Sequence, residues 1–329
     1  MQTIGNLYPL TFQTLYKDRI WGGTKLKTLL GKDIASMQHC GESWELSSVK
    51  DNISKVAAGT LAGKELNSLI EEYKGKLVGN AVYEKYGTTF PLLVKFLDAQ
   101  DDLSIQVHPD DTLAQKRHNS FGKTEMWYVL QADPEARLRV GFNRTVDRET
   151  YLRHLKSNTL DDILNLMPVA PDDVVFLPAG RIHSLGKGLV IAEIQQTSDI
   201  TYRVYDFDRK DAAGKLRDLH TEEALDAMDY TGHSDYKTNY KKSLNEVALL
   251  VESPYFTTNR LHFNQPVKRD YANLDSFVIY TCIGGQLNLA YADGQVEIKT
   301  GEVVLLPASI DQVTLTPVGE FKVLETYIS

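Results

Sequence analysis

Apolar and polar positions alternate along much of this chain, and several of the polar ones carry side chains fit for chemistry. In Leu103-Ser-Ile-Gln-Val-His108, the residues Leu103, Ile105 and Val107 alternate with Ser104, Gln106 and His108. That pattern predicts a strand with Gln106 and His108 on one face, two residues apart. Pro109 ends it, because proline has no N–H to give a ladder. In a second strand Glu125, Trp127 and Val129 share a face, with Met126, Tyr128 and Leu130 on the other. A carboxylate among inward apolar residues is costly to bury unless it is paired, protonated or bound to a metal. A third strand, from Val174 to Leu177, runs into the turn Pro178-Ala-Gly180 and delivers His183 just beyond it. A fourth, Leu92-Leu-Val-Lys-Phe-Leu97, carries Lys95 between Leu93 and Leu97 on its own face. If that face is an interior, desolvation lowers the lysine's pKa; if it is half-exposed, Lys95 points to solvent.

The period changes to helical in three places. Leu66, Leu69 and Ile70 mark a helix within 64–73. Residues 147–168 predict a small helical insert, with Tyr151, Leu152 and Leu155 on one stripe and Leu160, Ile163, Leu164 and Met167 on another. Thr159 with Asp162 resembles a capping box there, and Pro168 closes the segment. Thr221 opens a short helix over 221–228. The polar stretch 232–242 reads as a linker, and 244–329 as short strands only. These boundaries divide the chain into 1–240 and 241–329. A repeat crosses the division: Asp173-Val-Val-Phe-Leu-Pro-Ala-Gly-Arg-Ile-His183 aligns without a gap to Glu302-Val-Val-Leu-Leu-Pro-Ala-Ser-Ile-Asp-Gln312. It predicts two related units, the second without the histidine and filled by Phe277, Ile279, Leu287 and Leu289.

Composition narrows the classes. The chain has 329 residues, 42% hydrophobic and 24% charged, as in an ordinary soluble protein with room for two domains. A net charge of −8 argues against a nucleic-acid partner and an anionic membrane surface, though a local cationic pocket would still admit a small anion. Two distant cysteines, Cys40 and Cys282, make neither a disulfide framework nor a Cys-rich zinc site. The N-terminal stretch has no signal-peptide pattern and no segment reaches membrane-spanning length, so a cytoplasmic protein is expected.

Gln106, His108, Glu125 and His183 together supply two imidazoles, a carboxylate and an amide oxygen. That set suits a borderline divalent metal with an open position; two His and one carboxylate suit non-haem iron as well as zinc. The other histidines, His39, His118, His154, His220, His233 and His262, lack such context and read as structural or exposed. Trp21, Trp44 and Trp127 read as core.

Pro178-x-Gly180-x-x-His183 resembles the second motif of cupins, which are double-sheeted jelly rolls that hold a metal inside. The wider set is more specific. Gln106-Val-His-Pro-Asp-Asp111, Gly122-Lys-Thr-Glu125, Pro178 to Gly186, Glu193 to Arg209, Trp21-Gly-Gly23 and Gly41-Glu-Ser-Trp-Glu45 resemble type I mannose-6-phosphate isomerases (phosphomannose isomerases) in their short bacterial form. The resemblance spans most of 16–210 and is looser beyond. It implies a mainly β fold of two cupin-type jelly-roll barrels with the helical insert. It implies an aldose–ketose isomerase acting on a small sugar phosphate, mannose 6-phosphate to fructose 6-phosphate, through an enediol. It implies one zinc ion per chain on His108, Glu125 and His183, with Gln106 as the fourth ligand. Arg203 is implied as an active-site arginine, and Lys123, Lys95 and Glu193 as pocket residues. Lys123, Arg203 and Glu193 are the catalytic candidates, with Lys95 and Arg203 on the substrate. The proton-shuttling base stays unassigned. Two rivals are a metal-dependent cupin oxygenase, which would take up oxygen, and a sugar-phosphate-binding cupin, which would bind without turnover.

Overall fold

The computed structural model describes residues 6–210 and 214–329. The alternating segments pair antiparallel into three sheets, and the protein is mainly β. The first sheet has six strands in the spatial order Leu15–Gly23, Cys40–Leu46, Leu92–Ala99, Leu189–Gln196, Glu125–Ala132 and Val174–Leu177. The second has five, in the order Tyr202–Tyr205, Ile105–Val107, His183–Leu185, Arg137–Phe142 and Leu164–Pro168. Their facing sides share one apolar core, with Leu97, Trp127, Val129 and Ile191 from the first sheet and Leu138, Val140 and Leu185 from the second. Alternation sends Val94, Phe96, Met126, Tyr128, Ala192 and Ile194 to the far side of the first sheet. There they meet the helix Leu66–Tyr73 and part of the C-terminal region.

The third sheet, with seven strands, holds the C-terminal region together around the long strands Val278–Tyr291 and Gln312–Tyr327. Leu287 and Leu289 lie in its own core, as expected. Phe277 and Ile279 do not: both are fully buried, but against the N-terminal region, while Val278 and Tyr280 point inward. The register shift between Cys282 and Gly284 explains the change, since one extra residue on that strand moves its inward parity by one. The two regions are joined further by main-chain bonds, Leu10 N–H to Leu305 O (2.8 Å) and Ala308 N–H to Leu77 O (2.9 Å).

The structure corrects several expectations about local elements. The segment 147–168 is α-helical only over Arg148–Lys156, capped by Asp147 rather than Thr159. After a 3₁₀ turn at Leu160–Asp162 it becomes the strand Leu164–Pro168, paired with Arg137–Phe142. The spacing of Leu160, Leu164 and Met167 suits either state, and sheet pairing decides it; Pro168 is tolerated because the strand lies at an edge. Helix Asp111–His118, which apolar periodicity does not reveal, is started by the Asp110 carboxylate accepting from Leu113 N–H (2.8 Å). Thr221 is the first residue of its helix and gives no side-chain cap. The polar stretch 232–242 is a packed strap: Tyr236 is buried with its hydroxyl on Phe142 O (2.7 Å), and Lys237 pairs with Asp173 (2.7 Å). Among the described residues no helix is long and apolar enough to cross a membrane.

Candidate active site and metal centre

Three motif segments meet at one end of the space between the two sheets. Gly180 N–H donates to His108 O (2.9 Å), Lys123 N–H to Pro109 O (3.1 Å), and Ala179 N–H to Thr124 Oγ1 (3.2 Å). Gly122 N–H donates to Asp111 Oδ1 (2.8 Å), and a Cβ on Gly122 would come within 2.6 Å of Asp111 N, so only glycine permits this approach. Gly180 has φ +89°, a conformation that glycine adopts without penalty and that aims His183 into the site.

His108, Glu125 and His183 are all but fully buried, and each brings a ligand atom within 4.8 Å of the other two. His108 Nδ1 donates to Ile200 O (2.9 Å) and His183 Nδ1 to Arg181 O (2.8 Å). A carbonyl only accepts, so both rings carry a proton on Nδ1 and turn Nε2 toward the cluster. His183 Nε2 lies 3.2 Å from Glu125 Oε1. Neither oxygen of Glu125 accepts a hydrogen bond of good geometry among the described residues, although it is completely buried. The Lys123 ammonium reaches in among these atoms, 2.9 Å from Glu125 Oε2 and 3.0 Å from His108 Nε2. Burial, then the Lys123 charge, pushes His108 well below the ordinary histidine range. Burial works to raise the Glu125 pKa, but Lys123 and the two histidines outweigh it and hold the carboxyl well below its usual value. Two imidazoles and a carboxylate with orphaned oxygens are the donor set a divalent cation takes. Gln106 pairs with His183 across the sheet, and its side-chain nitrogen stands 3.3 Å from His183 Nε2.

Beside this cluster opens a cavity of about 370 Å³. Its lining includes every pocket residue singled out in the sequence: Lys95, Gln106, Lys123, Glu193 and Arg203. Lys95 is therefore an interior residue, yet its pKa is raised, contrary to the desolvation argument. Burial opposes its charge, but the Glu193 carboxylate at 2.8 Å, and Glu42 beyond, more than compensate. Glu193 is pinned on both sides, since its Oε1 accepts from Trp127 Nε1 (2.8 Å). Arg203 faces Gln106 across two strands, and its pKa falls through burial and then through nearby Arg217.

The lining also holds residues that the sequence reading passed over: Arg19, Glu42, Asp199 and Arg217. Glu42 was legible in part, because it alternates with Trp44 on the strand Cys40–Leu46. Arg19 Nε donates to Glu42 (2.7 Å), as does Trp44 Nε1 (2.5 Å). Arg217 sits in a loop and had no periodic signal. Trp21, Trp44 and Trp127 are buried as expected, but all three wall the cavity. Five cationic side chains face three carboxylates in this lining, so a chain of net charge −8 has a locally positive pocket. Two roomier clefts, of about 860 and 650 Å³, contain no histidine.

Comparison with known proteins agrees with this geometry. The model of the type I phosphomannose isomerase catalytic domain matches residues 10–136, and that of the mannose-6-phosphate isomerase cupin domain matches 246–327. A mannose-6-phosphate isomerase of Streptococcus mutans is 36% identical over 92% of this chain and 93% of its own. This chain belongs to the type I phosphomannose isomerase family. A mannose-6-phosphate isomerase of Bacillus subtilis is 34% identical over 97% of this chain and 96% of its own. The crystal structure of the mannose 6-phosphate isomerase from Bacillus subtilis superposes with a TM-score of 0.86 at 32% identity, covering 97% of this chain and 99% of that one. This chain thus shares the fold of that structure along nearly its whole length, including the C-terminal region.

Proposed function

We propose that this protein is a mannose-6-phosphate isomerase, interconverting mannose 6-phosphate and fructose 6-phosphate through an enediol with one bound zinc ion. The observation that carries the reading is the buried His108–Glu125–His183 cluster opening onto a cation-rich cavity, in a chain of this family. His108, Glu125 and His183 would hold the metal, and Gln106 would complete the set once its amide oxygen is turned toward His183 Nε2. Bound zinc supplies Lewis acidity for the oxygen that gains charge as the C2 proton is lost.

The chain's own groups bind and orient the sugar around that step. Arg203 offers a planar fork to the phosphate and fixes the sugar's direction in the cavity. Lys123, beside the ligand atoms, holds and transfers a proton at the sugar oxygens next to the reacting carbons. The Lys95–Glu193 pair is locked by Trp127 and serves as a charged wall against which the hydroxyls are oriented. The three tryptophans exclude water, which would otherwise exchange with the transferring proton.

The test is a coupled assay that follows fructose 6-phosphate formation from mannose 6-phosphate, before and after chelation and after zinc is restored. Turnover that vanishes with the chelator and returns with zinc supports the reading. Oxygen consumption with bound iron, or sugar-phosphate binding without turnover, would replace it with one of the two rival functions.

A further inference from the structure

We infer that His220 is a positioning residue for Arg203: it holds the backbone at that position so that the guanidinium faces the phosphate of the bound sugar. The inference rests on the proposed role of Arg203. The strand Tyr202–Tyr205 is four residues long and lies at the edge of its sheet, paired on one side with Ile105–Val107. A register shift between Arg203 and Tyr205 loosens even that pairing. A short edge strand with a bulge is a poor base for aiming a long side chain, because its second edge has nothing to hold it.

Residues 218–220 supply the missing edge. His220 N–H donates to Arg203 O (2.8 Å), and Arg203 N–H donates to His220 Nδ1 (3.1 Å). The pair copies one rung of a ladder, with the imidazole nitrogen standing where a carbonyl would be. The ring must therefore keep its proton on Nε2. A third bond runs from Arg203 Nη1 to Asp218 O (2.8 Å). One end of the guanidinium is thus tied down. Its Nε, on the edge shared with Nη2, is buried without a hydrogen-bond partner among the described residues. That edge carries two parallel N–H groups, the geometry a phosphate accepts from arginine.

Helix formation does not explain the histidine. The helix Thr221–Ala227 uses the main-chain oxygen of His220, which accepts from Ala224 N–H (2.9 Å), and any residue would provide it. The side chain instead serves a residue seventeen positions earlier.

The test compares His220→Asn, His220→Leu and Arg203→Lys in the zinc-loaded enzyme. Asn places an acceptor oxygen close to the position of Nδ1; Leu fills the space and offers none. His220→Leu should raise KM for mannose 6-phosphate, and the inhibition constant of inorganic phosphate, about tenfold, in line with an amide left without its acceptor. His220→Asn should keep both within about threefold of wild type, at a Tm and zinc content equal to those of the Leu variant. Equal constants in the Asn and Leu variants would overturn the inference, whether both match wild type or both are impaired. Wild-type kinetics in Arg203→Lys would overturn the reading of Arg203 itself. Impaired Arg203→Lys with wild-type His220→Leu would leave that reading standing and remove only the role of His220.

Discussion

Replacing Glu42 by glutamine removes a charge that the cavity wall is built around, and the cost can be worked from its surroundings. Glu42 is 8% exposed and accepts from Arg19 Nε and Trp44 Nε1, with the Lys95 ammonium nearby. Burial raises its pKa, but Lys95 and Arg19 together overcome burial and bring the carboxyl from an ordinary 4.5 down to about 2. At about 1.4 kcal/mol per pH unit, the ionised carboxylate contributes roughly 3 kcal/mol to folding. The folded-state pKa is the lower one. The contribution is therefore complete above about pH 4.5, and it is lost as the pH falls from there toward about 2. One unit below the ordinary value, roughly 1.4 kcal/mol of it has gone. Glutamine keeps the volume and can still accept from Trp44, but it does not titrate. Denaturant unfolding of wild type and Glu42→Gln, at matched zinc content, should show a gap of roughly 3 kcal/mol near neutrality, narrowing by roughly 1.4 kcal/mol one unit below pH 4.5. A gap that stays constant across that window would show that Glu42 has an ordinary pKa and that its contacts with Arg19 and Lys95 do not stabilise its charge.

Four further outcomes follow from the same geometry. His183→Ala should lose zinc, by elemental analysis, and nearly all turnover while remaining folded; full activity in a dialysed, metal-free variant would refute the ligand assignment. Arg203→Lys should lower kcat/KM at least about tenfold, about 1.4 kcal/mol, because a point charge does not replace a fork. Arg269→Ala should destabilise the fold by about 3–5 kcal/mol in denaturant unfolding, since it strips the two-bonded partner (2.8 and 2.9 Å) from the fully buried Glu325; a change below about 1 kcal/mol would mean that Asn259 and Tyr271 suffice. Gln312→Ala should leave one zinc per chain and wild-type activity, because Gln312 is exposed and donates to Asp270 (3.1 Å); loss of metal in that variant would place a ligand where none is expected.

Much of the His108–Glu125–His183 cluster was legible because strands report which side chains share a face. Alternation in 103–108 put Gln106 and His108 on one face, alternation in 125–130 put Glu125 on the face of Trp127 and Val129, and the Pro-x-Gly turn marked His183. Lys95 shows the limit. Alternation could say which neighbours shared its face but not which face was inside, and it could not foresee Glu193 on the adjacent strand reversing the effect of burial. Residues brought in by loops, such as Arg217 and the Asp218–His220 segment, leave no periodic trace, because their positions depend on tertiary contacts alone. The segment 160–168 misled for a different reason. Apolar residues at 160, 163, 164 and 167 satisfy a helix, but an open sheet edge beside them offers a ladder, and pairing wins over local preference.

The repeat shows how one local structure can serve two ends. Val174–Leu177 and Val303–Leu306 are strands of equal length, each followed by the same turn bond, Arg181 N–H to Pro178 O (3.1 Å) and Ile310 N–H to Pro307 O (3.0 Å). Each turn then leads into another strand, beginning at His183 in one case and Gln312 in the other. Up to that residue the physics is shared, since an apolar strand and a proline turn ask only for burial and a reversal. The difference lies in what the next side chain meets. His183 is buried against Glu125 and Gln106. Gln312 is exposed at a strand end and bonds Asp270, while the polar interior of its own domain gathers instead on Glu325, neutralised by Arg269 and capped by Asn259 and Tyr271. A buried carboxylate needs a positive partner in either domain. Beside Glu125 that partner is the Lys123 ammonium; beside Glu325 it is a guanidinium giving two hydrogen bonds, and with Asn259 and Tyr271 it leaves Glu325 no free lone pair of the kind that Glu125 keeps.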